Sequence, residues 1–513
     1  MISHAFKCIA WFVTLLLVAG TLAGCQESAP TVAHIRAGRV TEPAATEIDE
    51  GNTQVAANVT PSETGSREAR TYYVSPSGND SHDGSAAQPW QTIQHAAESV
   101  SAGDTVRIAA GMYEGDVDFP SSGTAAAPIA FIGDAEDTVA VNGHVQFSRG
   151  VSYFELASLR VEGFRIWGVT LIGDNHHIHL HDLKVIGGET GFRFTDGNSG
   201  DLPAEGPVSD VVLENCEVEG PMYSAVDCTP GPCDRMVFRN LDLHDAGIQG
   251  QESFGADGIG LERGRDILVE DCRVYDNGGD GIDLNSRDYD GNVTGIVVRR
   301  NQVFRNRLMG IKLWAGGRME NNVVWGQGIT PVVVGKYPGT YEVVNNTVAF
   351  NMYGDFSERD YALVAGYPND DTGIPPEIGL TLVNNIFAFN TGPGIGDGPT
   401  GIYLGEKVHL KESHNLYWSR EDGEIQADFV DRQEKSFSRV EILDGSWTVA
   451  TGQGAGDIAA DPMFTDPWPN VELAPSTGSP AADAGTGADA PNEDVQGARR
   501  PQGTAFSIGA FER

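Results

Sequence analysis

The stretch 342-EVVNNTVAFN-351 holds a short apolar strand, a pair of asparagines and a second short apolar strand. The same form returns in 211-VVLENCEVEG-220, 236-MVFRNLDLHD-245, 267-ILVEDCRVYD-276, 319-MENNVVWG-326 and 381-TLVNNIFAFN-390, with weaker copies in 178-IHLHDLKVIG-187 and 296-IVVRRNQVFR-305. Turn positions Asp182, Asn215, Asn240, Asp271, Arg300, Asn321, Asn345 and Asn384 are spaced by 33, 25, 31, 29, 21, 24 and 39 residues. A minimum near 21–25 with variable excess implies one coil per repeat, with loops inserted into some coils. Strands this short cannot each bury a face alone, but stacked in parallel they share one continuous core. The expected fold is therefore all-β, a single-stranded right-handed parallel β-helix. Asparagine tolerates the left-handed backbone that a tight turn needs, and stacked amides can hydrogen-bond from coil to coil. A β-propeller is disfavoured, because no regular period of 40–50 residues or WD-like signature is present.

The flanks divide the chain further. Residues 1–25 read as an export signal: His4 and Lys7 precede the apolar run 9-IAWFVTLLLVAG-20, too short to span a bilayer comfortably. The following 22-LAGC-25 resembles a bacterial lipoprotein cleavage site, which implies lipidation of Cys25 and anchoring at the outer membrane or cell surface. Gln26 is not the Asp that retains many such proteins at the inner membrane. Residues 26–70 are poor in large apolar side chains and read as a flexible tether. Residues 71–150 are expected to form an N-terminal cap and first coils, with a short amphipathic helix over Thr92–Ser99; residues 151–420 the β-helix proper; and 421–513 the last coils and a closing segment.

The net charge is −38, from 34 basic and 72 acidic residues. Such a surface excludes nucleic acid and anionic membranes as partners, leaving membrane contact to the N-terminal lipid, and a monomer is expected. One window departs from the trend: between Arg263 and Lys336 eleven Lys/Arg face nine Asp/Glu, a local +2. The pair in 228-CTPGPC-233 straddles a Pro-Gly-Pro turn, which favours a Cys228–Cys233 disulfide. A zinc site lacks the second close Cys or His pair it would need.

A second strand recurs in each coil: 168-GVTL-171, 191-GFRF-194, 225-AVDC-228, 258-GIGL-261, 281-GIDL-284, 310-GIKL-313 and 401-GIYL-404. Strand alternation turns its second and fourth residues inward and its third outward, and successive coils lie about 4.8 Å apart. The outward column therefore reads Thr170, Arg193, Asp227, Gly260, Asp283, Lys312, and a neighbouring column holds Asp257 and Asp280. Taken singly these are ordinary polar surface residues. Together, Asp257, Asp280 and Asp283 gather three carboxylates that repel one another unless a cation neutralises them, and hard oxygen donors suit Ca²⁺.

Asp257, 280-DGID-283 and 310-GIKLW-314 resemble polysaccharide lyase family nine, the calcium-dependent pectate lyases built on a right-handed β-helix. The end segments 72–115 and 461–512 likewise resemble the caps of exported carbohydrate-active β-helices. The resemblance implies calcium ligation by Asp257, Asp280 and Asp283 and a catalytic base at Lys312. Gly279 stands where that family places the first Asp of an adjacent pair. The implied reaction is β-elimination on an acidic, uronate-containing polysaccharide, with Asn285, Arg287, Arg307 and Trp314 as candidate substrate contacts and no general acid evident. Two other classes stay open: a non-catalytic carbohydrate-binding or structural surface protein, and a glycoside hydrolase or epimerase using the same carboxylates without metal.

Overall fold

A computed structural model describes residues 68–513 apart from 136–137, 196–205, 230, 248–254, 285–294, 352–360, 367–372, 390–401, 419–423, 429–433 and 467–471. The chain coils as a right-handed parallel β-helix. Among the described residues one sheet carries 13 strands, parallel from Val117–Phe119 through Ile282–Leu284 to Glu424–Asp428 with a single strand from each coil, and closed at its edge by Glu434–Ser438, which pairs antiparallel with Glu424–Asp428. The other walls form a 23-stranded sheet, continuous because Ser152–Glu162 and His176–Ile186 each run 11 residues across two walls.

The turn asparagines divide the work between their two positions. Asp182, Asn215, Asn240, Asp271, Arg300, Asn321, Asn345 and Asn384 all take φ between 50° and 59°, the left-handed region that the repeat alignment demanded. The next residue points inward: it is apolar or cysteine in the earlier coils (Leu183, Cys216, Leu241, Cys272) and an asparagine that builds a ladder from Asn301 onward. The Asn301 amide donates to Asn322 Oδ1 at 3.0 Å, Asn322 to Asn346 at 3.0 Å, Asn346 to Asn385 at 3.1 Å and Asn385 to Asn415 at 3.0 Å. Each of these side chains also donates to a strand carbonyl, so buried polar groups are satisfied along the whole stack.

The 13-stranded sheet alternates as expected. Ile259, Ile282 and Ile311 are fully buried in the coil interior and Leu261, Leu284 and Leu313 nearly so, while the residues between them face outward. Full burial of such a side chain contributes about 1.5–3 kcal/mol, repeated coil after coil. Gly281 opens its strand because a Cβ there would lie 2.4 Å from Val303 and 2.7 Å from the Gly310 carbonyl of the next coil.

The helix Ile93–Ser99 forms with Thr92 as its N-cap, burying Ile93, Ala96 and Ala97, and Gln94 accepts the backbone N–H of Asp118 on the first strand of the 13-stranded sheet. The closing segment does more than end the coil. It lies along the side of the turns, accepting from Asn321 through Glu493 O, from Asn345 through Ser507 O and Gly509 O, and from Asn384 through Thr486 O. Arg500 and Glu512, fully buried, pair at 2.8 Å inside it.

Candidate functional site

Register along the 13-stranded sheet places Thr170, Arg193, Asp227, Gly260, Asp283 and Lys312 side by side on consecutive coils. The column continues to Val333 and Val364 on strands Val332–Val334 and Leu363–Ala365. The Asn321 and Asn345 turns mark these coils in the sequence, but these two strands escape it because their outward residues are apolar, which erases the alternation. A cavity of about 790 Å³ lies over the middle of this sheet. Asp257, Asp280, Asp283 and Lys312 all line it.

The three aspartates each offer a carboxylate oxygen within 4.8 Å of the other two. Asp257 sits one coil earlier than Asp280, and its Oδ1 accepts the Asp280 backbone N–H at 2.7 Å. Asp280 Oδ1 accepts the Met309 N–H at 2.8 Å. Lys312 Nζ donates to Asp280 Oδ2 at 2.6 Å and to Asp283 Oδ2 at 2.7 Å. Burial disfavours the Lys312 ammonium, but Asp283 and Asp280 overcome it and hold its pKa well above the ordinary lysine range. Burial and the neighbouring Asp280 and Asp283 charges push the Asp257 carboxyl well above its usual range, despite Lys312. Burial also raises Asp283, against the pull of Lys312. One ammonium is thus shared by two carboxylates, and the third gains least from it.

Gly279 acquires a structural reason. A Cβ there would lie 2.4 Å from Asp257 Oδ1 and 2.8 Å from the Ala256 carbonyl carbon. Its own N–H donates to Ala256 O at 2.9 Å, which draws the two coils together at the cluster. Gly260 does the complementary thing, leaving the space over which Asp257 Oδ2 leans.

The candidate substrate contacts fare differently. Asn285 and Arg287 lie outside the described residues. Arg307 is exposed but does not line the cavity. Trp314 is no open stacking platform: it is only 7% exposed, and its indole N–H donates to Asp283 Oδ1 at 2.7 Å. Its ring packs under two ammonium groups, with Lys312 Nζ at 5.1 Å and Lys336 Nζ at 5.4 Å from the centroid. The basic window also proves misleading. Of its eleven Lys/Arg, only Lys312 and Lys336 line the cavity among the described residues. Arg273, Arg299, Arg300, Arg305 and Arg318 sit on other walls or turns and pair with local carboxylates. Linear charge counting sums over every wall of a coil, whereas a groove sees one.

Sequence reasoning overlooked Trp167, Glu189, Tyr223 and Lys336 in the cavity wall. Trp167 opens the strand Trp167–Ile172, one residue before the Gly of the recurring tetrapeptide, in the same place that Asp257 and Asp280 hold in their coils. That positional rule could have found it. The expected disulfide is present between Cys228 and Cys233, with Cα atoms 6.4 Å apart; Cys25 lies outside the described residues.

Three converging carboxylates fit a hard divalent cation, since oxygen donors of this kind are what such ions take. Coil, groove and acidic cluster together define a right-handed β-helix with a candidate cation site in its groove. The chain belongs to the family described as Pel9A-like, right handed beta helix region, whose model matches residues 72–354. It is 26% identical over 459 residues to the uncharacterized protein YwoF of Bacillus subtilis (strain 168), covering 77% of this chain and 88% of the relative. It is 25% identical over 365 residues to pectate lyase PEL9 of Emericella nidulans (strain FGSC A4), covering 65% of this chain and 81% of that one. The crystal structure of pectate lyase Pel9A aligns with a TM-score of 0.46 and 18% identity, over 86% of this chain and 96% of that chain.

Proposed function

We propose that the protein is a polysaccharide lyase that cleaves a uronate-containing polymer by calcium-assisted β-elimination. The observation that carries this reading is the Asp257–Asp280–Asp283 cluster with Lys312 bonded into it, at the floor of one groove. The three aspartates would hold Ca²⁺. Calcium there would draw charge from a substrate carboxylate and acidify the proton at C5.

The chain's own residues account for the rest. Lys312 stands on the sheet beside the cluster, with a nitrogen that can take the C5 proton once it is neutral. The C5–H electrons then form the C4=C5 double bond, the C4–O bond breaks, and the departing oxygen takes a proton from water. Lys312 is charged as long as Asp280 and Asp283 hold its ammonium. Those carboxylates cannot fully serve an ammonium and a divalent cation at once, so occupancy of the cluster decides whether Lys312 is an ion-pair partner or a base. Trp314 is a positioning residue, fixing Asp283 from behind.

The test is incubation with polygalacturonate, alginate and other uronates, with calcium or with chelator, following the ultraviolet absorbance of unsaturated products. Calcium-dependent absorbance on one of them is expected; none on any uronate with calcium present removes the lyase reading. The 22-LAGC-25 segment supports a second part of the proposal, that the enzyme is exported and lipid-anchored through Cys25 at the outer membrane or cell surface.

A further inference from the structure

The two ends of the groove differ in chemistry. Toward the later coils stand Lys312 and Lys336, both against the Trp314 ring. Toward the earlier coils the cavity is walled by two exposed aromatics, Trp167 at 37% and Tyr223 at 47% exposure. These lie on one continuous strip. The Glu189 N–H donates to Ile166 O at 2.9 Å and the Tyr223 N–H to Glu189 O at 2.6 Å, so Trp167 and Tyr223 stand two coils apart on either side of Glu189. Two coils correspond to about 10 Å.

Among the described lining residues, the charges at this end are Glu189 and Asp227, with Glu262 beside them on the Asp257 coil, against the guanidinium of Arg193. Arg193 is itself committed: it pairs with Asp227 and donates to Thr229 Oγ1 at 2.7 Å, while the Thr229 hydroxyl donates to Asp227 Oδ1 at 2.7 Å. A further carboxylate placed here would meet an acidic wall with no uncommitted guanidinium among the described residues. Exposed aromatic faces, by contrast, gain by covering the apolar C–H face of a sugar ring, whose hydroxyls can reach the carboxylates at the rim.

We propose that the groove is divided, and that its Trp167–Tyr223 end is a subsite for an uncharged sugar. The substrate class is then a mixed polysaccharide, in which a neutral residue lies a few units from the uronate bound at the aspartate cluster. A polymer of uronate alone would leave this end unmatched. The inference deepens the function proposed above and rests on reading the groove as a polysaccharide site.

Its test measures binding separately from turnover. Two oligosaccharides of equal length, one of uronate only and one alternating uronate with a neutral sugar, are titrated calorimetrically into the full-length protein with calcium. The alternating probe is expected to bind about tenfold tighter, a difference of about 1.4 kcal/mol. Trp167→Ala and Tyr223→Ala should each remove most of that advantage while changing uronate-only binding little. Trp167→Phe and Tyr223→Phe keep an aromatic face and should retain it, which separates loss of stacking from misfolding. Equal or tighter binding of the uronate-only probe overturns the inference, as do alanine variants that weaken both probes alike. If the preference holds but neither probe yields unsaturated product, the subsite stands and the lyase reading falls. Product from the uronate-only probe without any preference reverses that outcome. Binding of neither probe overturns both.

Discussion

At the scale of single residues, Lys312, Trp314, Gly279 and Asp257 each make a separable prediction. Lys312→Ala should lower elimination in calcium by about 10²-fold or more, as loss of a positioned base requires, and in chelator it should also melt lower, because Asp280 and Asp283 lose the ammonium they share. Full activity in that variant would remove the assignment. Trp314→Phe keeps the ring but loses the N–H that holds Asp283. Calcium affinity should drop roughly tenfold, the usual scale for removing a partner that orients a ligand, read by titration with the metal alone. Gly279→Asp restores the residue that the family pattern has, yet the position leaves no room for a Cβ between Asp257 and Ala256. It should lower both stability and calcium affinity; a gain in affinity would show that the coils can part. Asp257 supplies the pH dependence. Its folded pKa is raised, so the folded chain keeps a proton that the unfolded chain sheds from about pH 4, and stability falls as pH climbs through that window. In chelator at pH 7, Asp257→Asn should therefore melt higher than the parent, with the gap closing toward pH 4. Calcium should raise the melting temperature of the parent and not of the variant.

At the scale of elements, the asparagine ladder is the device that fixes one coil on the next. Asn322 donates to Val298 O and Asn346 Oδ1 and accepts from the N–H and the amide of Asn301. Asn322→Ala strands the two Asn301 donors and the Val298 carbonyl on the preceding coil and removes a donor from Asn346 Oδ1 on the next, and should cost about 2–4 kcal/mol in denaturant unfolding. A cost near zero would mean that the ladder relaxes around the gap. The repeat alignment located these turns because a left-handed residue followed by an inward amide is a local requirement, written into adjacent positions. Within the coils marked by Asn321 and Asn345, the strands that carry Val333 and Val364 were not legible. Their outward faces are apolar, and only hydrogen-bonded register reveals that they continue the sheet.

At the scale of the whole molecule, the acidic balance of −38 and the acidic polymer proposed as substrate are compatible because the site brings its own compensation. Carboxylates cluster where a divalent cation can be taken, and Lys312 and Lys336 lie on the later side of that cluster. Many of the remaining arginines are spent on neighbouring carboxylates along the outer walls. The lipid-anchor proposal also belongs at this scale. Cys25→Ser should move the protein from the membrane to the soluble fraction and abolish fatty-acid labelling in cells. Labelling that survives the substitution would place the lipid elsewhere or refute it.

The sequence by itself determined the coil, the left-handed turns, the helix that opens it, the Cys228–Cys233 link and the column joining Asp283 to Lys312. All of these follow from short-range periodicity, because a stacked coil converts spacing along the chain directly into adjacency in space. Only the tertiary structure decided what lies beneath and around that column. Trp314 is covered by Lys312 and Lys336 and holds Asp283, Gly279 became a point of closest approach, and the basic window dispersed over walls that do not face the groove. Those outcomes depend on which side of a closed coil each residue occupies, and on side-chain reach across coils, which linear spacing does not encode.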